Sequence, residues 1–133
     1  MEASPADAET VDAAPAPPPP AALVVLPGPK AAAADNDGAR FVEAAMARRL
    51  FHDGALVAHA SLTARRLNLA PPPRSPGLYD ALELFAFVRP AQFAAPSAAG
   101  LARAVGLAEP KGAAGQASAL RDVAATLLAE LAA

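Results

Sequence analysis

The apolar stretch Ala22-Leu23-Val24-Val25-Leu26 decides the fold, because Pro27 and Gly28 end it abruptly. A short, continuous apolar run bounded by turn-forming residues is typical of a fully buried β-strand. Working outward, Ala31–Ala34 is a candidate for a second strand. The sequence Asp35-Asn36-Asp37-Gly38 then predicts a tight hairpin turn, since Asn and Gly tolerate a positive φ. This part of the chain therefore favours a buried strand followed by a hairpin.

The next part of the chain alternates between helical and strand patterns. Apolar residues recur at helical spacing at Phe41, Val42, Ala45, Met46, Leu50 and Phe51. The sequence His52-Asp53-Gly54 ends this predicted helix, with Gly54 available for a left-handed cap. Another apolar run, Ala55–His59, predicts a further strand. Strands that alternate with helices predict an α/β fold.

A second helix is expected directly after this strand. Ser61 is placed to cap it, and it extends through Leu62 and Leu67, with Arg65 and Arg66 on its outer side. An extended loop follows, because prolines cannot donate a backbone hydrogen bond and restrict the residues before them. These prolines are Pro71, Pro72, Pro73 and Pro76.

Three helices are predicted for the last third of the chain. The first runs from Tyr79 to about Val88 and ends before Pro90, while Ser97 caps a second one that Gly106 closes. In the third helix, one face is fully apolar and must cover another element or pair with a partner. That face consists of Leu120, Val123, Leu127, Leu128 and Leu131.

Composition limits the classes of protein to which this chain can belong. Hydrophobic residues make up 54% of the 133 residues, but 40 residues are alanine, so a compact domain must be small and padded with alanine. Eleven basic residues against 13 acidic ones are far from the footprint of an autonomous nucleic-acid binder. The absence of cysteine excludes disulfides and thiolate metal sites and fits a cytoplasmic protein.

The N-terminal 20 residues differ from the rest of the chain. They contain six prolines, four acidic residues and no basic residue. This composition predicts a disordered, acidic, Pro/Ala-rich tail over residues 1–20, with the folded domain at 21–133. We find neither a signal peptide nor a membrane-spanning segment in this pattern, and we expect no membrane partner.

Few residues suggest chemistry on their own. The segment Leu26–Lys30 lacks the glycines and the Ser or Thr of a phosphate-binding loop. His52 is interpreted as a surface turn residue, and Asp35 and Asp37 as turn-forming side chains. His59 is the more interesting histidine, because the carboxyl ends of strands in α/β sheets face ligand crevices.

The segments Leu78–Pro90 and Gly100–Leu107 carry a family resemblance. Together they resemble the N-terminal region of DinG-type (XPD-related) bacterial ATP-dependent DNA helicases. The same stretch is similar to the DnaQ-like proofreading exonucleases of the ribonuclease H-like fold. The resemblance extends over Ala22–Leu131 and implies a small, incomplete ribonuclease H-like α/β sheet with flanking helices.

The exonuclease motifs of that family map onto this chain only in remnants. The first-strand Asp-x-Glu falls near Leu23–Pro27, where no acid stands, and the metal-binding Asp of the His-Asn-x-x-Phe-Asp motif becomes Ala64 in His59–Ala64. The third motif places its His near Ala117 and keeps its Asp as Asp122. The resemblance thus leaves His59 and Asp122 as remnants. It implies a degenerate exonuclease domain without a catalytic, cofactor-binding or metal site.

The resemblance also implies a function. We expect the chain to be the accessory N-terminal portion of a DinG-like helicase acting in DNA repair or replication, while the ATPase motor lies elsewhere. The expected partners are the helicase motor domain, in cis or in trans, and single-stranded DNA. Two alternatives stay open: a divergent 3′–5′ exonuclease using Asp122 with Asp80 or Glu83, and an unrelated interaction protein that pairs through its last helix.

Overall fold

The computed structural model describes residues 20–28, 30–70 and 79–133, which form five strands and five helices. The strands are β1 (Ala22–Leu26), β2 (Lys30–Asp35), β3 (Gly38–Val42), β4 (Leu56–Val57) and β5 (Tyr79–Asp80). The helices are α1 (Ala44–His52), α2 (Ala60–Arg66), α3 (Ala81–Val88), α4 (Ala98–Ala104) and α5 (Gly112–Ala132). The predicted α/β class is confirmed. The expected tail, apart from Pro20, and the expected proline loop lie outside the described residues.

The strands form one mixed sheet in the order β3-β2-β1-β4-β5. Strands β1, β2 and β3 pair antiparallel, whereas β4 is parallel to β1 and β5 is parallel to β4. The predicted hairpin turn is present between β2 and β3. There the Asp35 carboxylate accepts a hydrogen bond from the Asp37 N–H at 2.8 Å, and Gly38 has a φ of 120°. This turn fixes the register in which Asp35 pairs with Gly38.

Helices cover both faces of the sheet. Along β1, Leu23 and Val25 pack with α1 and α2 on one face, while Ala22 and Val24 pack with α3, α4 and α5 on the other. This alternation is the period-two pattern of a strand that is buried on both sides. On β2, Ala31 packs on the first of these faces and Ala32 and Ala34 on the second.

The first part of the apolar stripe of α5 packs against the sheet. Leu120, Val123 and Leu127 are fully buried against β1, β2 and the neighbouring helices. Leu128 and Leu131 remain 53% and 50% exposed. The prediction that this stripe must cover another element is therefore confirmed for the first three residues, and the last two leave part of the stripe uncovered.

Two helix starts were predicted wrongly because strand pairing takes precedence over helical spacing. Phe41 and Val42 belong to β3, paired with Ala32 and Ala31, and α1 begins only after Glu43. Likewise, Tyr79 lies in β5 opposite Leu56, and α3 begins at Ala81. The expected strand Ala55–His59 is also shorter, since only Leu56 and Val57 pair.

The helix ends follow the predicted capping residues in α1 and α4. Gly54 follows α1 with a φ of 98°. The Ser97 hydroxyl accepts a hydrogen bond from the Gly100 N–H at 3.0 Å, and Gly106 follows α4 with a φ of 85°. None of the described helices combines the length and the apolar character needed to cross a bilayer.

Candidate functional site

The first candidate site is a small cleft at the carboxyl ends of β1 and β4, which we call the carboxyl-end cleft. Its volume is about 40 Å³. In α/β sheets this end of the strands is the usual place for ligands. The lining residues are Leu23, Val24, Val25, Leu26, Ala58, His59, Leu62, Thr63, Arg66, Pro96, Ser97, Ala98 and Gln116.

His59 in this cleft caps α2. Its Nδ1 atom accepts a hydrogen bond from the Leu62 N–H at 3.3 Å, and its carbonyl accepts one from the Thr63 hydroxyl at 2.8 Å. The expectation that Ser61 caps this helix is wrong, because β4 ends early and the helix already begins at Ala60. One ring nitrogen of His59 is therefore engaged by backbone and is not free to act as a base.

Arg66 brings a positive charge to the carboxyl-end cleft. It is exposed, as predicted, but its guanidinium turns back to donate a hydrogen bond to the Val25 carbonyl at 2.8 Å. None of the described residues that line the cleft is Asp or Glu. The motif position Ala64 is 1% exposed and packs in the core between the sheet and α1–α2.

Asp122 does not reach this cleft. In an α-helix each residue turns by about 100°, so a residue five positions further along points to nearly the opposite side. Ala117 is fully buried against the sheet, and Asp122 is exposed. The structure therefore separates the two motif remnants: His59 lines the carboxyl-end cleft, whereas Asp122 lines a different depression.

That depression is a larger groove, which we call the amino-end groove, between α3 and α5 near the amino ends of β1, β4 and β5. Its volume is about 790 Å³, and its lining is mostly apolar. The lining residues are Pro20, Leu56, Tyr79, Asp80, Glu83, Leu84, Phe87, Arg121, Asp122, Ala124, Ala125 and Leu128. A volume of this size is within the range of ligand and peptide pockets.

Large apolar side chains are exposed in the amino-end groove. Phe87 is 71% exposed, Leu128 53% and Tyr79 49%. The sequence patterns did not predict this surface. Phe87 could have signalled it, because it stands only two residues after the buried Phe85 and so lies outside the apolar stripe of α3.

Acidic residues surround the same groove. Glu83 and Asp122 are exposed and form no salt bridge with another described residue. Among the described residues of the lining, Arg121 is the basic one; its guanidinium donates a hydrogen bond to the Asn36 side chain at 2.8 Å and is thereby directed toward the β2–β3 turn. The charge that the described residues present to the groove is therefore negative.

Asp80 has a structural role at the edge of this groove. One of its carboxylate oxygens accepts a hydrogen bond from the Glu83 N–H at 2.9 Å and caps α3. The other accepts one from the Ala60 N–H at 2.8 Å and fixes the start of α2. This single carboxylate thus holds two helix starts in place, and the expectation that it assists catalysis does not agree with these contacts.

Other charged groups stabilise the surface. The Asp37 N–H and the Arg40 guanidinium donate hydrogen bonds to Asp35 and lower the pKa of its carboxyl group. Arg89 forms an ion pair with Glu130 and lowers the pKa of that carboxyl group. Within residues 20–28, 30–70 and 79–133, no three His, Asp or Glu side chains cluster closely enough to hold a metal ion.

Comparison with known proteins gave no relative: no family model, no curated protein and no solved structure matches this chain.

Proposed function

We propose that the chain is the accessory, non-hydrolytic N-terminal portion of a DinG-like ATP-dependent DNA helicase that acts in DNA repair or replication. In this proposal the domain keeps a ribonuclease H-like scaffold, and the ATPase motor is supplied by another domain or chain. The mixed five-stranded sheet with helices on both faces supports the scaffold. The resemblance of Leu78–Leu107 supports the helicase assignment.

The chemistry of the carboxyl-end cleft is the observation that carries the non-hydrolytic part of the proposal. Two-metal phosphodiester cleavage needs several carboxylates that converge on a pair of cations. The described lining of the cleft includes Arg66 and no carboxylate, and a fixed positive charge repels divalent cations. This arrangement opposes an exonuclease centred on these strand ends. The residues of the exonuclease alternative, Asp80, Glu83 and Asp122, line the amino-end groove instead, and within the described residues they do not cluster closely enough to hold a metal ion.

The segment of the helicase resemblance also has a structural position that fits an accessory role. Its described part, residues 79–107, forms β5, α3 and α4. It contributes Tyr79 and Phe87 to the amino-end groove and Ser97 to the carboxyl-end cleft. The part of the sequence that resembles the helicases thus forms one wall of the exposed apolar groove, as expected for a domain that contacts a partner.

Incubation of the purified chain with labelled single-stranded DNA and either magnesium or manganese tests the absence of hydrolysis. We expect no cleavage by the natural sequence or by Asp122→Ala. Cleavage by the natural chain that disappears in Asp122→Ala would contradict the proposal and support the exonuclease alternative.

Binding to a helicase motor tests the accessory role. Isothermal titration calorimetry of the chain against the motor domain of a DinG-type helicase from the same genome should show saturable binding. A parallel measurement of DNA-dependent ATPase activity should change when the chain is added. If neither heat of binding nor a change in ATPase activity is seen, the accessory role is wrong.

A further inference from the structure

The amino-end groove is an exposed feature of the described residues that the scaffold itself does not explain. Tyr79, Phe87 and Leu128 expose about half or more of their surface along one depression. Large apolar side chains that cluster on a surface and are bordered by polar groups mark interaction sites. Within the described residues, the fold offers no element that covers them.

We propose that the amino-end groove binds a basic amphipathic helix of a partner protein, with apolar anchors in the groove and Lys or Arg side chains over its acidic border. This inference rests on the proposed function, since it assigns the kind of segment by which the helicase motor meets this domain. It also assigns Asp122 a role in recognition.

The groove is suited to a helix and not to an added strand. Its walls are two helices, α3 and α5, and a helix laid between them can insert side chains at i, i+3, i+4 and i+7. The nearby sheet edge, β5, has only two residues. Addition of a strand needs a longer row of free backbone groups. The volume of about 790 Å³ also admits several side chains at once.

The charges around the groove favour a positively charged partner. Glu83 and Asp122 border the apolar lining, and Arg121 is hydrogen-bonded to Asn36. A partner with Lys or Arg beside its anchors pairs with these carboxylates, whereas an acidic partner is repelled. A second copy that docked groove to groove would bring two acidic borders together, and this disfavours a symmetric dimer at this surface.

Fluorescence anisotropy with a synthetic peptide tests the inference on the full chain. The probe is a labelled 18-residue Leu/Lys peptide whose leucines follow helical spacing, and the reference probe has the same composition in scrambled order. We expect saturable binding of the helical peptide and at least tenfold weaker binding of the scrambled one. Equal binding of the two peptides would show mere charge attraction and overturn the inference.

Matched variants locate the binding surface. Phe87→Ser and Asp122→Lys should each weaken the helical peptide at least fivefold, and the Asp122→Lys loss should shrink at high salt. The controls Phe93→Ser and Glu109→Lys change residues that are also exposed but lie outside the groove, and they should bind like the natural chain. Circular dichroism confirms folding, and Leu128→Ser replaces Phe87→Ser if that variant is unfolded.

The outcomes separate this inference from the proposed function. If the groove variants bind the peptide as well as the controls do, the groove inference is wrong, whether or not the helicase motor binds. If the peptide binds in the groove and the motor does not bind, the helicase assignment is wrong and the groove inference stands. Light scattering could show that the chain is a dimer and that the peptide dissociates it. The groove would then bind a second copy of the chain and not a partner helix, and the inference would be wrong.

Discussion

The two ends of the parallel strands differ in a way that the fold class does not predict. At the carboxyl ends, where α/β sheets usually bind ligands, the cleft has a volume of only about 40 Å³ and is lined by His59 and Arg66, which make internal hydrogen bonds. At the amino ends, the groove has a volume of about 790 Å³ and exposes apolar side chains. At the carboxyl ends, where ligands usually bind, the side chains therefore stabilise the fold. The exposed apolar surface lies at the amino ends.

Helix capping explains much of this difference. The amino ends of α2 and α4 meet at the carboxyl-end cleft, where their free N–H groups need acceptors. His59 and Ser97 supply these acceptors and line the cleft. The long helix α5 spans both regions, because Gln116 lines the cleft and Leu128 lines the groove, about 18 Å further along the helix axis.

The largest expected effect separates the buried side of α3 from its exposed side. Phe85 is 1% exposed and packs in the core beneath α3, whereas Phe87 on the same helix is 71% exposed. Phe85→Ala should lower the free energy of unfolding by about 3–5 kcal/mol, because it leaves a cavity. Phe87→Ala should change it by less than about 0.5 kcal/mol. Urea denaturation measures both, and equal losses would show that the groove is not open to solvent.

The next effect concerns the carboxylate that connects the two regions. Asp80 accepts hydrogen bonds from the N–H groups of Glu83 and Ala60, so Asp80→Ala should cost about 2 kcal/mol. Asp80→Asn keeps only one acceptor oxygen and should lose about half of that. Thermal melting of the two variants checks the order. If Asn is as damaging as Ala, the negative charge matters and not the two hydrogen bonds.

A smaller effect is expected in the carboxyl-end cleft. Arg66→Ala removes the hydrogen bond to the Val25 carbonyl and should cost about 1 kcal/mol. The neighbouring Arg65 has no side-chain hydrogen bond to another described residue, so Arg65→Ala is the matched control and should be close to neutral. Urea denaturation distinguishes them. Equal stability of the two variants would mean that the hydrogen bond from Arg66 to the Val25 carbonyl does not stabilise the fold.

Local patterns in the sequence predicted some of these features well. The apolar run of β1, the turn before Gly38 and the Ser97 cap depend on neighbours in the chain and were confirmed. Phe41 and Tyr79 were placed in helices wrongly, because their conformation depends on distant strands with which they pair. The helicase resemblance stays a prediction.

The carboxyl-end cleft and the amino-end groove could not have been predicted from such local patterns. The groove lies between α3 and α5 beside Phe87 and Leu128, and local sequence patterns do not determine how two helices pack. Arg66 was placed correctly on the outer side of α2, but its contact with Val25 spans 41 positions in the chain. Sites that depend on long-range packing of this kind need coordinates.

The smallest expected effect is a pH dependence of the stability that comes from the ion pair between the end of α3 and α5. The Arg89 guanidinium, just after α3, pairs with Glu130 of α5 and lowers the pKa of that carboxyl group below its ordinary value of 4.5. A carboxyl group whose pKa is lowered by folding stabilises the folded state at higher pH, and this contribution is lost as the pH falls below 4.5 through the lowered pKa. Since the pair lies at the surface, its effect is small.

The melting temperature should therefore decrease less steeply for Glu130→Gln than for the natural chain as the pH is lowered from about 6 to about 3, a range that spans this titration. The control is Glu109→Gln, whose carboxylate lies 3.8 Å from Arg103 in an exposed pair and should leave the slope unchanged. Part of the acid sensitivity should persist in both variants, because Asp35 also has a lowered pKa. An unchanged slope for Glu130→Gln would show that the ion pair does not connect α3 and α5 in solution.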